Sequence, residues 1–280
     1  MHKESATIFS ARAQTKKARR RRLRALWAHA RTVVLPLLVL LILLLAWEAG
    51  VRAFNIPEFV LPAPSRIWQA SVVARDVIFD NMWSTLRTTL WGFLASIVVS
   101  LPLAVLIASS PLLSNSIYPL LVFTQSVPKV AIAPLIVVAV GATETSRVIV
   151  AFLVAFFPLV ISVAAGLIAT NPELIELGRS LRATKLQELW HIRLPFAVPF
   201  VFSGLKLSIT FAVTGAVVGE FVAADKGLGY QILSGTAFFK TAFAFGAVVL
   251  LSVMGIVLFQ AVVLAERLFF PWSSNESGNA

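Results

Sequence analysis

Long uncharged apolar runs, separated by short polar breaks, fill most of the chain. They are Thr32–Trp47, Thr88–Pro128, Val130–Thr143, Val148–Pro172, Gly227–Phe239 and Thr241–Ala265. Thr88–Pro128 alone has 41 residues, about twice the ~20 a helix needs to cross a hydrocarbon core. It must fold back, and Ser109-Ser110-Pro111-Leu112-Leu113-Ser114-Asn115 carries the turn signal. Phe196–Ala224 is interrupted only by Lys206 and Glu220, both near an end, where long side chains reach the interface. The pattern predicts six spans, at 33–53, 86–108, 117–141, 147–169, 198–222 and 241–265. These runs lack the alternation of barrel strands, and lipid leaves only helices otherwise, so the expected class is an all-α membrane protein. Between the spans lie a leader (1–32), an outer segment (54–85), a five-helix core (86–270) with a loop at 170–197, and a tail (271–280).

Composition agrees: 58% of the 280 residues are hydrophobic and 13% charged, about half the charged share of a soluble domain. The formal charge is +11, and residues 1–32 supply ten basic side chains against one acidic. On so apolar a chain this does not point to nucleic acid. The leader is expected to be disordered and held near anionic headgroups. It is long, and the apolar stretch after it continues to Ala53, so an uncleaved first span is expected rather than a secretory signal. With the N-terminus inside, the inner segments carry 15 Lys and Arg and the outer ones seven. That asymmetry predicts both termini in the cytoplasm. The absence of cysteine removes disulfides, thiolate metal sites and cysteine nucleophiles. No phosphate loop, H-E-x-x-H or G-x-S-x-G occurs, so nothing supports an enzyme or a cofactor held by this chain.

The longest interior inner loop runs from Asn171-Pro172-Glu173 to Ile192-Arg193-Leu194-Pro195. Asn171-Pro172 marks a helix start, with Glu173 beside the positive end of its dipole. Leu174, Leu177 and Leu181 recur at helical spacing, then Leu186, Leu189 and Trp190. Two short amphipathic helices joined near Arg182–Thr184 are expected. Their apolar stripe either packs on the protein's own helix ends or docks into a soluble partner. Trp190 and His191 are expected to cover its apolar side.

This loop resembles the EAA loop of permease subunits of bacterial ABC importers, E-A-A-x(3)-G-x(9)-I-x-L-P. Ile192, Leu194 and Pro195 place its glutamate on Glu176, its alanines on Leu177 and Gly178, and its glycine on Arg182. Because glycine there helps the turn between the helices, the turn is expected to be built differently here. Leu61-Pro62-Ala63-Pro64-Ser65-Arg66, Val218-Gly219-Glu220-Phe221 and Gly227-Leu228-Gly229-Tyr230 resemble the nitrate/sulfonate/taurine branch. Gln125-Ser126-Val127-Pro128-Lys129-Val130-Ala131-Ile132-Ala133-Pro134 is closer to relatives moving thiamine-precursor pyrimidines or riboflavin.

The resemblance implies a six-span, MetI-like type I importer bundle in the bacterial inner membrane. It implies a homodimer, two cytoplasmic ATPase subunits that bind the ATP and magnesium, and an outer substrate-binding protein. Glu176, Arg179, Leu181, Arg182, Ala183, Thr184, Leu186 and Leu189 are then the expected ATPase-coupling residues. The favoured cargo is a pyrimidine or flavin-like heterocycle, the alternative a small sulfonate-, nitrate- or taurine-type anion.

Lys129 falls near the middle of the third span, after Pro128. An ammonium at mid-bilayer costs at least ~2.5 kcal/mol, so it should face protein or water. It is either satisfied by carbonyls that the prolines free, or by a carboxylate, or it lines the pathway and meets a polar substrate. Gln125, Ser126, Lys129 and Glu220 are the candidate pathway residues. Glu220, like Glu48, is alternatively interfacial, or else a gate or the partner of Lys129. Gly215-x-x-x-Gly219 allows close helix approach, within the chain or at a dimer seam. Two other classes compete. A self-sufficient secondary transporter would show repeated halves and paired central charges, and a membrane-anchored scaffold would leave Lys129 and the loop without purpose.

Overall fold

The computed structural model describes residues 34–273, which contain helices and no strand. The leader expected over 1–32 and the tail beyond 273 lie outside the described residues. The chain divides into two compact units, residues 1–66 and 67–280.

In the first unit, α1 (Val34–Ala53) is the first candidate span. Its side chains from Val34 to Leu45 are exposed all round, the pattern of a helix solvated by lipid. Glu48 pairs with Arg52 one turn on, at 2.5 Å. Its carboxylate also accepts from the Ser65 backbone N–H (3.0 Å) and hydroxyl (2.8 Å). Ser65 lies in the first turn of α2 (Pro64–Val73), behind Pro64 at its first position. An N-terminal proline and an anion on the free N–H groups together explain why the helix starts there.

The second unit continues with α3 (Arg75–Ser109), α4 (Pro111–Thr124), a 3₁₀ turn (Lys129–Ile132), α5 (Ala133–Val140) and α6 (Glu144–Ile168). Next come α7 (Pro172–Ser180), α8 (Lys185–Glu188) and a π turn (Leu189–Arg193) that runs into α9 (Leu194–Ala223). The last two helices are α10 (Leu228–Ala237) and α11 (Thr241–Phe269). Among the described residues, five helices are long and apolar enough to cross a membrane.

The expected third span, 117–141, is not one helix. The chain breaks between α4 and the 3₁₀ turn, and the two arms meet at 79°, so a sixth span exists only as this bent pair. Pro128 has no N–H to continue α4 and disfavours helical geometry at Val127. Pro134 sits in the first turn of α5, where its missing N–H costs nothing. Helix α3 begins eleven residues before the expected span at 86. Its 35 residues extend about 52 Å, well beyond a hydrocarbon core of about 30 Å.

Helix α6 is the centre of the second unit, with half of its most apolar window buried between α3 and α9. Leu159, Val160, Val163 and Leu167 on α6 pack with Ala104 and Ile107 on α3 and Ala197 on α9. Small residues bring the axes together: a Cβ on Gly215 would fall 2.7 Å from the Cα of Ala151, and one on Gly219 would fall 3.0 Å from that of Arg147. Both contacts are to α6, so Gly215-x-x-x-Gly219 is a seam within the chain. Buried hydroxyls join the same helices. Ser208 donates to the Ala155 carbonyl (2.9 Å) and lies 3.2 Å from the Ser96 hydroxyl, and Ser100 donates to the Phe156 carbonyl (3.2 Å). Such bonds satisfy polar groups where lipid offers no partner.

Candidate functional site

At one end of the bundle, α7 and α8 form the predicted pair of short helices. Asn171 caps α7 by accepting from the Glu173 N–H (3.0 Å). The helix ends in a Schellman arrangement: Ala183 N–H reaches the Gly178 carbonyl (2.9 Å) and Arg182 N–H the Arg179 carbonyl (2.9 Å). Arg182 has φ +58°, the left-handed conformation usually given to glycine. The expectation of a differently built turn is therefore corrected: the glycine-type turn is kept, and an arginine bears its strain. Thr184 then starts α8 with a capping box, accepting from the Gln187 N–H (3.3 Å) while Gln187 Oε1 accepts from the Thr184 N–H (2.8 Å).

Leu181 and Leu186 flank this turn and are 75% and 65% exposed. Leu189 departs from the expected stripe. The π turn directs it inward, where it packs on the core of Leu167 and Ala197. Trp190 also departs from expectation, because it is 62% exposed rather than covering the loop. His191 does lie on the apolar side, sharing a groove of about 390 Å³ with Leu174, Leu177 and Leu181. Glu176 is exposed, Ala183 is half-buried, and Arg179 stands 3.8 Å from Glu188.

The residue that ties this loop to the bundle is Arg193, which the sequence did not single out. Its Nε donates to Glu188 Oε1 (2.8 Å), with Nη2 2.7 Å from the same oxygen. Its Nη1 faces the carbonyls of Leu167 (3.3 Å) and Ala108 (3.5 Å), at the C-terminal ends of α6 and α3. A guanidinium there meets the negative ends of two helix dipoles and one carboxylate together. No local pattern marks Glu188 and Arg193 as partners, since the five-residue spacing becomes a contact only through the π turn.

Lys129 opens the 3₁₀ turn at the break. Its Nζ donates to the Gln125 carbonyl (3.3 Å), a carbonyl of the kind the prolines free, and lies 5.0 Å from the centre of the Phe157 ring. Gln125 and Ser126 are exposed beside it. The break thus sets the ammonium against a backbone carbonyl and an aromatic face. The structure does not bring Glu220 to this group.

Glu220 lies instead at the end of α9 away from the α7–α8 loop, 1% exposed. Thr85 on α3 donates to it at 2.8 Å and the Gly229 N–H at 2.8 Å. The interfacial reading of Glu220 is therefore corrected to a buried acceptor. Arg147, also buried, donates to the Lys226 carbonyl (3.1 Å) nearby. Lys206, expected to reach the interface, pairs with buried Glu266 at 2.6 Å. Thr85 and Glu266 were not foreseen, because their partners lie far away in the sequence.

Residues 100–274 match the family model described as the binding-protein-dependent transport system inner membrane component. The chain is similar to the riboflavin transport system permease protein of Chloroflexus aurantiacus, 35% identical over 240 residues, covering 84% of this chain and 89% of that protein. It is also similar to the formylaminopyrimidine transport permease protein of Halalkalibacterium halodurans, 32% identical over 242 residues, covering 86% and 96%. Similarity to the taurine transport system permease protein of Escherichia coli is lower, 25% over 259 residues, covering 90% and 94%. Among solved structures, a chain of the inward-facing MetNI methionine ABC transporter shares the fold, with TM-score 0.60 and 22% identity, covering 70% of this chain and 97% of that one.

Proposed function

Because the chain belongs to the family of binding-protein-dependent transport system inner membrane components, as a permease subunit of an ABC importer, we propose how it works within one. Two copies assemble with two cytoplasmic ATPases, which bind the nucleotide and magnesium and perform the hydrolysis. An outer binding protein delivers the solute. The α7–α8 loop faces the cytoplasm with both termini, and closure of the ATPases moves it as a rigid body, exposing the pathway alternately to each side.

The observation that carries this reading is the pair of exposed leucines, Leu181 and Leu186, on either side of a rigidly capped turn. Exposed apolar anchors on short helices cost solubility unless a partner covers them. Each such anchor typically contributes ~2 kcal/mol or more to an interface. Glu176 and Arg179 flank them and set the register. Arg193 passes the motion to α3 and α6.

For the cargo, we read Gln125, Ser126 and Lys129 as pathway residues that meet a flat polar heterocycle of the pyrimidine or flavin kind. Support comes from the higher identity to permeases named for riboflavin and formylaminopyrimidine than to the taurine one, and from the Phe157 face beside the ammonium. The test is Leu181→Asp with Leu186→Asp. The purified double variant should lose its ATPase subunits while remaining folded and dimeric. Full ATPase retention with substrate-stimulated hydrolysis would refute the coupling role of the loop.

A further inference from the structure

Helix α10 has ten residues, fewer than the ~12–15 at which an isolated helix becomes even marginal in water. It follows Gly227, whose φ of +118° suits a flexible joint. None of its own side chains caps its start. Nevertheless three successive N–H groups at that start are each taken at 2.8 Å. Gly227 donates to Asn81 Oδ1, Leu228 to Thr85 Oγ1 and Gly229 to Glu220 Oε2. The acceptors come from α3 and α9, so the cap is supplied entirely by other helices. Asn81 also donates to Gln231 (3.4 Å), which donates to the Phe243 carbonyl on α11 (3.3 Å). Four helices meet at one buried polar knot. Gly227 is required here: a Cβ on it would run into the Glu220 carboxyl group.

We propose that Glu220 is a positioning residue for transport, and that its carboxylate fastens α10 to α3 and α9 as a fixed platform at the end of the bundle opposite the α7–α8 loop. A neutral side chain could fill the same space. An anion, however, is drawn to the unsatisfied N–H groups of a helix start, and the Glu220 carboxylate takes the Thr85 hydroxyl and the Gly229 N–H together, each at 2.8 Å. Without it, the buried Gly229 N–H has no acceptor, Thr85 falls back on the Asn81 carbonyl of its own helix at 3.2 Å, and α10 loosens at its glycine joint. Arg147, buried next to this region and bonded to the carbonyl of Lys226, holds the chain just before that joint.

The chain has no cysteine, so single thiols report cleanly. Leu228→Cys places one at a fully buried position of α10, and Ala183→Cys places a control in the distant loop. In the full-length transporter in nanodiscs, Glu220→Ala should raise maleimide labelling at position 228 roughly tenfold, the scale of one lost charge-assisted bond. Labelling at 183 should not change. Thr85→Val should raise it less, and serves if Glu220→Ala does not fold. Binding-protein-stimulated hydrolysis should show a raised KM with unchanged basal hydrolysis. Position 228 remaining unreactive in both variants, or 183 and 228 rising together, would overturn the proposal. The transport readout rests on the importer reading and the labelling does not, so the two can fail separately.

Discussion

A double-mutant cycle on Glu188 and Arg193 tests whether this pair joins the loop to the bundle. The side chains of Glu188 and Arg193 are 11% and 18% exposed, so neither is screened as a surface pair would be. Arg193→Met leaves Glu188 buried with only the loose, exposed Arg179 at 3.8 Å as a counter-charge. Breaking a fully buried pair costs about 3–5 kcal/mol, and the residual exposure lowers that to about 2–3 kcal/mol. Glu188→Leu costs less, about 1–2 kcal/mol, because Arg193 keeps the Leu167 and Ala108 carbonyls at the ends of α6 and α3. Removing both charges leaves no orphan, so the double variant should lose only about 1–2 kcal/mol. The implied coupling energy is about 2 kcal/mol. Hydrogen exchange of the α8 and π-turn amides, in the assembled transporter, reads these numbers as opening free energies, with a tenfold rate change per 1.4 kcal/mol. The double variant should exchange about tenfold faster than the parent, no faster than Glu188→Leu alone and slower than Arg193→Met, yet hydrolyse ATP without uptake. Singles that simply add in the double would show that Glu188 and Arg193 do not act as a pair. Intact uptake in the double variant would remove Arg193 from the transmission route.

Two further outcomes follow from local geometry. Arg182→Gly relieves a left-handed arginine, which costs roughly 1–2 kcal/mol, against the larger chain entropy of glycine. Exchange of the Ala183 amide should slow about threefold, and Arg182→Ala should not reproduce this. Faster exchange in the glycine variant would refute the strain argument. Lys129→Met keeps the apolar stem and removes the ammonium, so uptake should fall at least tenfold while assembly and ATPase coupling persist. Normal uptake would leave Lys129 no part in the pathway.

The membrane class and the rough places of five spans were legible in the sequence. A helix in lipid must satisfy its backbone internally, so an uninterrupted apolar run leaves few alternatives. The start of α7 was legible for a related reason: Asn171 and Pro172 act on N–H groups within one turn. Other features needed the assembled bundle. Pro128 and Pro134 were visible as breakers, but whether α4 continues past Lys129 or turns by 79° depends on what packs against each arm. Leu189 fits the amphipathic stripe by spacing, and the π turn sets it half-buried against the core. Glu220 reads as interfacial beside its neighbours in sequence, yet its hydroxyl donor, Thr85, lies 135 positions earlier. Lys206, poised by hydropathy to reach the interface, is neutralised instead by Glu266, a distant residue the sequence did not single out. A lone charge in an apolar run states a cost, and the tertiary structure alone decides which distant group meets it, because in lipid there is no water to do so.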